Sequence, residues 1–82
     1  MPKMINISVN LFHDQFNKEY AFLYKHDDRV AGYQEAVEAF DDFVAKHGDF
    51  VREFAKYRGD FISSDREAAA FMFALDDLGV LM

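Results

Sequence analysis

The chain has 82 residues, 15 Asp and Glu against 9 Lys and Arg, no cysteine and a net charge of -6. A chain of this size buries about 63% of its extended surface on folding, enough for one small acidic domain, 1–82, with a single core. The absence of cysteine excludes a disulfide framework, a thiol nucleophile and a thiolate metal site, and ten Phe with four Tyr argue against disorder.

The first residues, Met1 to Asn6, lack the apolar run of a signal peptide. No stretch approaches the ~20 apolar residues of a membrane span, so the expected location is the cytoplasm. From Ile5 to Leu11 apolar and polar residues alternate, a period of two that predicts a half-buried strand. After the polar stretch His13 to Glu19, the run Tyr20-Ala21-Phe22-Leu23-Tyr24 places three aromatic rings on one strand face and reads as the second arm of a hairpin. The competing reading carries Phe12 to Lys25 as a helix and makes the chain all-α; short aromatic runs do not decide between the two by period alone.

Beyond Arg29 the period becomes helical. Val37, Phe40, Phe43, Val44 and His47 recur at spacings of three and four, with Glu35, Glu38, Asp41 and Asp42 on the other side. Gly48 is expected to stop this helix and Asp49 to cap the next, in which Phe50, Phe54 and Tyr57 form a stripe, Asp49 can meet Arg52 and Glu53 can meet Lys56. Gly59 closes it. Ser64-Asp65-Arg66-Glu67 has the form of a capping box and starts a third helix, with Ala68, Phe71, Met72, Leu75 and Leu78 as its buried stripe and Gly79 at its end. The predicted class is therefore α+β, an N-terminal β-hairpin followed by three α-helices, with all-α as the alternative.

Charge is segregated along this order. Net charge is +1 over residues 1–26, -5 over 27–49, +1 over 50–66 and -3 over 67–82. Glu35, Glu38 and Asp42 share one helix face with Asp41 beside them, and their neighbours three and four residues on read as carboxylates rather than lysines, so the face repels itself. Asp76 and Asp77 oppose the dipole at a helix C-terminus, with no Lys or Arg after residue 66. A solvated face serving solubility is one account of this pattern, and pairing of Asp76 and Asp77 with Arg29, Arg52, Lys56 or Arg58 another. The sharper account is a row of carboxylates presented to a basic protein surface, with Glu35, Glu38, Asp41, Asp42, Asp76 and Asp77 as the partner-binding residues.

Other chemistry is poorly supplied. Asp27-Asp28, Asp41-Asp42 and Asp76-Asp77 lack the alternating oxygen spacing of a calcium loop, so no metal is expected. His13-Asp14 and His26-Asp27 are adjacent in sequence without a nucleophile to activate, and His47 suits a helix C-terminus, so no enzyme and no cofactor is expected. Arg58-Gly59-Asp60 and the sequon Asn6-Ile7-Ser8 carry no secretion signal to give them meaning. Tyr20, Phe22 and Tyr24 could stack bases, yet only Lys18 and Lys25 flank them; direct nucleic-acid binding is disfavoured and these rings are assigned to the core. Phe73 lies off the third helix's stripe and the chain ends Val80-Leu81-Met82, which with the open hairpin edges suggests a homo-oligomer, such as a homodimer, or a partner groove; the alternative is that Phe73 wraps against the hairpin and the tail folds back.

In size, acidity and lack of cysteine the chain resembles the small inhibitors that bacteriophages encode against host nucleic-acid enzymes, anti-restriction and anti-CRISPR proteins among them; the likeness is compositional and extends to no motif. It implies a non-catalytic, nucleic-acid-mimicking protein-binding module. A structural protein acting through homo-oligomerisation by Phe73, Val80, Leu81 and Met82 is the alternative.

Overall fold

A computed structural model describes residues 7–25, 32–58 and 64–80. Among these residues the elements are three helices, α1 (Val9–Lys25), α2 (Tyr33–Arg58) and α3 (Asp65–Asp77), and there is no strand. The α+β prediction is thus overturned in favour of the all-α alternative. Residues 1–6, which held the start of the proposed first strand, lie outside the described residues.

The hairpin fails because Ser8 is a helix cap. Its carbonyl accepts from the Phe12 N–H at 3.0 Å, and its hydroxyl oxygen accepts from the Leu11 N–H, also at 3.0 Å, satisfying one of the free donors of the first turn. From there Phe12, Phe16, Glu19 and Leu23 recur at helical spacing and are the buried residues of α1. The alternation of Ile7, Val9 and Leu11 therefore does not define a face: Leu11 is 51% exposed. We expect Ser8→Ala to cost about 1 kcal/mol in urea unfolding, the ordinary loss of an N-cap, whereas a solvent-facing strand serine would be replaced almost without effect.

The aromatic run is also rearranged. On α1 Tyr20 and Tyr24 are neighbours one turn apart, with ring centroids 4.9 Å apart and hydroxyls 3.2 Å apart. Phe22 points elsewhere and is exposed, as is Tyr24. Only Tyr20 packs on the core, and it does so half-buried, so the assignment of all three rings to the core does not hold.

The first and second predicted helices run together as α2, broken at one residue: His47 has φ -134° and ψ 40°, outside the helical range. The break falls one position before Gly48, the expected stop, and helix resumes at once. The expected local pairs are present, Asp49 with Arg52 and Glu53 with Lys56, the latter at 3.1 Å. Gly59 lies outside the described residues.

Helix α3 is the centre of the molecule. It packs along both α1 and α2, which touch each other less. Ser64 caps it as predicted, accepting from the Glu67 N–H at 3.1 Å, while its own hydroxyl lies 3.3 Å from Glu67 Oε1. Its burial extends beyond one stripe: Glu67 through Met72, Ala74 and Leu75 are all buried. Ala68, Ala69, Ala70 and Ala74 make this feasible, since a methyl side chain lets helices approach on several sides at no rotamer cost. The helix ends in a Schellman turn: the Val80 N–H reaches the Leu75 carbonyl and the Gly79 N–H the Asp76 carbonyl, each at 3.0 Å. Gly79 sits at φ +73°, where a Cβ would be strained.

The core is a cluster of phenylalanines around Phe71. Its ring centroid lies 4.6 Å from Phe12, 5.2 Å from Phe40, and 5.4 Å from both Phe43 and Phe54. Most of these pairs are edge-to-face, the arrangement the ring quadrupole favours. One side chain of α3 thereby joins α1 to both halves of α2.

Candidate partner-binding surface

Packing Phe40 and Phe43 inward fixes the opposite side of the first half of α2. At about 100° per residue, Glu35, Glu38 and Asp42 fall within roughly a 60° arc facing away from those rings, with Asp41 to one side. All four are exposed. Their rises along the axis, about 4.5 Å from Glu35 to Glu38 and about 10.5 Å from Glu35 to Asp42, approximate the one- and three-step rises of phosphates along a strand of DNA, about 3.4 and 10 Å. None of the four is needed for burial, and only Glu35, in the first turn, helps the helix through its dipole.

One cation was missed. Lys46 Nζ lies 3.0 Å from Asp42 Oδ2, an exposed pair one turn apart. The spacing was visible in the sequence, since residue 46 follows 42 by four, and it corrects the expectation that the row has only carboxylate neighbours. The pair contributes little to stability, but it lowers the field at that end of the row.

Asp76 and Asp77 are exposed at the end of α3, whose last turn carries no basic residue. Gln15 Nε2 donates to Asp77 Oδ2 at 3.3 Å, tying this carboxylate to α1. Of the cations proposed to neutralise the pair, Arg52 is engaged with Asp49 and Lys56 with Glu53; Arg29 and the Arg58 side chain lie outside the described residues. The six carboxylates thus form two groups, a row on α2 and a pair closing α3. Replacing Asp76 by Asn should raise stability by about 0.3–1 kcal/mol in urea unfolding, because it removes a charge opposed to the helix dipole and breaks no contact of Asp77.

The proposed interface residues behave differently. Phe73 is half-buried, its ring against Gly32 at the entry to α2, and Val80 is half-buried against the core. Leu81 and Met82 lie outside the described residues. Among the described residues the hairpin edges invoked for self-association are absent, since the segment is helical from Val9 to Lys25.

Elsewhere the side chains serve the fold. The His13 ring lies 5.9 Å from both Phe54 and Tyr57, seated among aromatics rather than beside a nucleophile; His26 and Asp27 lie outside the described residues. Arg66 donates to the Leu23 carbonyl at the end of α1 and its guanidinium stands 4.8 Å from the Tyr24 ring centroid, so one cation closes α1 and covers an aromatic face. The Tyr33 phenol is held above its ordinary pKa chiefly by burial, with Arg66 opposing the shift. Among the described residues no group of His, Asp and Glu is placed to hold a metal ion, and no helix is long and apolar enough to cross a membrane. No family model, curated protein or solved structure matches the chain.

Proposed function

We propose that this chain is a non-catalytic protein-binding module of the cytoplasm that docks its carboxylates on a basic surface of a nucleic-acid-handling protein, as small acidic phage inhibitors do. Glu35, Glu38, Asp41 and Asp42 form the docking row, and Asp76 and Asp77 supply a second acidic patch. The observation that carries the reading is the exposure of the whole row on a helix face opposite its buried phenylalanines, at phosphate-like rises. The protein acts by occupying the groove that a nucleic acid would otherwise fill, without contacting nucleic acid itself, and it needs no cofactor.

The experiment is capture. The immobilised chain should retain a basic, nucleic-acid-binding protein from an extract of the cells in which it acts. Duplex DNA should compete for that protein, and raising salt from about 0.05 to 0.5 M should release it as the Debye length shrinks. Retention that survives both DNA and salt would contradict the proposal. Assembly through Phe73, Val80, Leu81 and Met82 stands second, because Phe73 and Val80 already have partners within the chain.

A further inference from the structure

We propose that α2 is a two-state helix: the break at His47 can close, and the straightened chain exchanges the second half of α2, together with α3, with a second copy of itself. Two independent observations meet at this residue. In the backbone, His47 is the position within α2 whose φ and ψ leave the helical range, with regular helix on both sides. In the sequence, the apolar spacing does not break there at all. From Tyr33 through Ala36, Phe40 and Phe43 to Phe50, Phe54 and Tyr57, residues recur at alternating steps of three and four, and the one strongly polar member of the series is His47 itself. That is the seam of one continuous helix packed against others.

The bent fold does not follow the seam to its end. Beyond the break Val51, off the seam, is only 1% exposed, whereas Tyr57, its last member, is 52% exposed. Bending has turned the second half of α2 so that Phe50 and Phe54 close over Phe12 and Phe71 of the same chain. A straight helix of 26 residues would be about 39 Å long, against a longest molecular extent of 37 Å. Helix α3, with 13 residues, spans only about 20 Å. Straightening carries Phe50 and Phe54, and with them Phe71 on α3, off the Phe12, Phe40 and Phe43 rings of their own chain. The surface that complements these three rings is the Phe12, Phe40 and Phe43 cluster of another copy, which is why the occupant is a second chain and not an unrelated protein. The contacts of Phe50, Phe54 and Phe71 with Phe12, and of Phe71 with Phe40 and Phe43, are then remade between chains, and the backbone of residue 47 becomes helical.

Closing the break is sensitive to helix propensity at residue 47 only in the straight form, because in the bent form that residue is not helical. His47→Ala and His47→Gly lose the same ring, which packs on Phe43 at 4.9 Å, yet differ by about fivefold per chain in the ease of making residue 47 helical. The wild type and both variants are unfolded in urea, refolded at high protein concentration, and sized by chromatography with light scattering. Expected is a dimer that persists on dilution, since release requires unfolding, with the dimer-to-monomer ratio about 25-fold higher in His47→Ala than in His47→Gly. Monomer in all three chains would overturn the proposal. So would a dimer of equal abundance in the two variants, which would place self-association on another surface such as Phe73. If either variant fails to refold, the wild-type chain still decides: its dimer must carry the monomer's helical circular dichroism and must not return to monomer when diluted without denaturant.

Discussion

Phe71→Ala should cost about 3–5 kcal/mol, the upper range for truncating a buried aromatic residue. A domain of this length has a total stability of roughly 4–12 kcal/mol, so the substitution should remove a large share of it and leave the chain partly unfolded near body temperature. The site has little freedom to collapse. Phe71 is 0% exposed, and the rings around it belong to both other helices, Phe12 to α1 and Phe40, Phe43 and Phe54 to α2. Phe54→Ala, which removes a ring that also touches Phe12 and Phe16, falls in the same range. Phe22→Ala is the internal comparison. That ring is 38% exposed on the outer side of α1, and its loss should be felt at under about 1 kcal/mol. Urea unfolding monitored by circular dichroism reads all three. Similar midpoints for Phe71→Ala and Phe22→Ala would mean that the aromatic cluster is not the core.

What the sequence made legible, and what it hid, follows from how far each signal reaches. The third helix was readable to its ends because its signals are local: Ser64 and Glu67 three residues apart mark one end, and Gly79 marks the other through the left-handed turn that the Val80 and Leu75 hydrogen bond requires. The pairs Asp49 with Arg52 and Glu53 with Lys56 were readable for the same reason. The N-terminal segment was not. Alternation from Ile5 to Leu11 runs into the start of α1 at Val9 and ends one residue before the helical stripe Phe12, Phe16, Glu19, Leu23 begins, and the stripe includes a carboxylate, Glu19, that is buried. A charged residue at a core position hides the period from any reading that counts apolar residues. Ser8 was the available clue: a hydroxyl just ahead of Phe12 and Phe16 is as good a cap as it is a strand residue, and the ambiguity is settled only by what the rings pack against. The candidate surface divides in the same way. Exposure of Glu35, Glu38, Asp41 and Asp42 followed from the inward pull of Phe40 and Phe43, three residues apart on one face, whereas the grip of Gln15 on Asp77 is a contact between α1 and α3 that no local pattern reveals.

The second large effect concerns binding. Changing Glu35, Glu38 and Asp42 together to Lys should leave the helix standing, because all three side chains are exposed and Lys is a good helix former. The new lysines would repel one another and Lys46 by a few tenths of a kcal/mol per pair, much as the carboxylates do now, and Lys at residue 35 would add a small dipole cost. Affinity should nevertheless fall by about a hundredfold or more, since like charges brought together across an interface cost several kcal/mol and tenfold in affinity is about 1.4 kcal/mol. Lys46→Glu should act in the opposite direction, because it removes the cation that pairs with Asp42 and adds a carboxylate to the row.

The most direct measurement is the association rate constant of the captured partner with the wild-type chain, the triple Lys variant and Lys46→Glu, taken by stopped-flow across a range of ionic strength. Docking through the acidic row predicts fast, salt-sensitive association for the wild type, faster still for Lys46→Glu, and a fall to the roughly 10⁵–10⁶ M⁻¹s⁻¹ of unsteered encounters or below for the triple variant. Equal rates for the three proteins, with the same weak dependence on salt, would contradict the account and leave the carboxylates of α2 with no role beyond solubility.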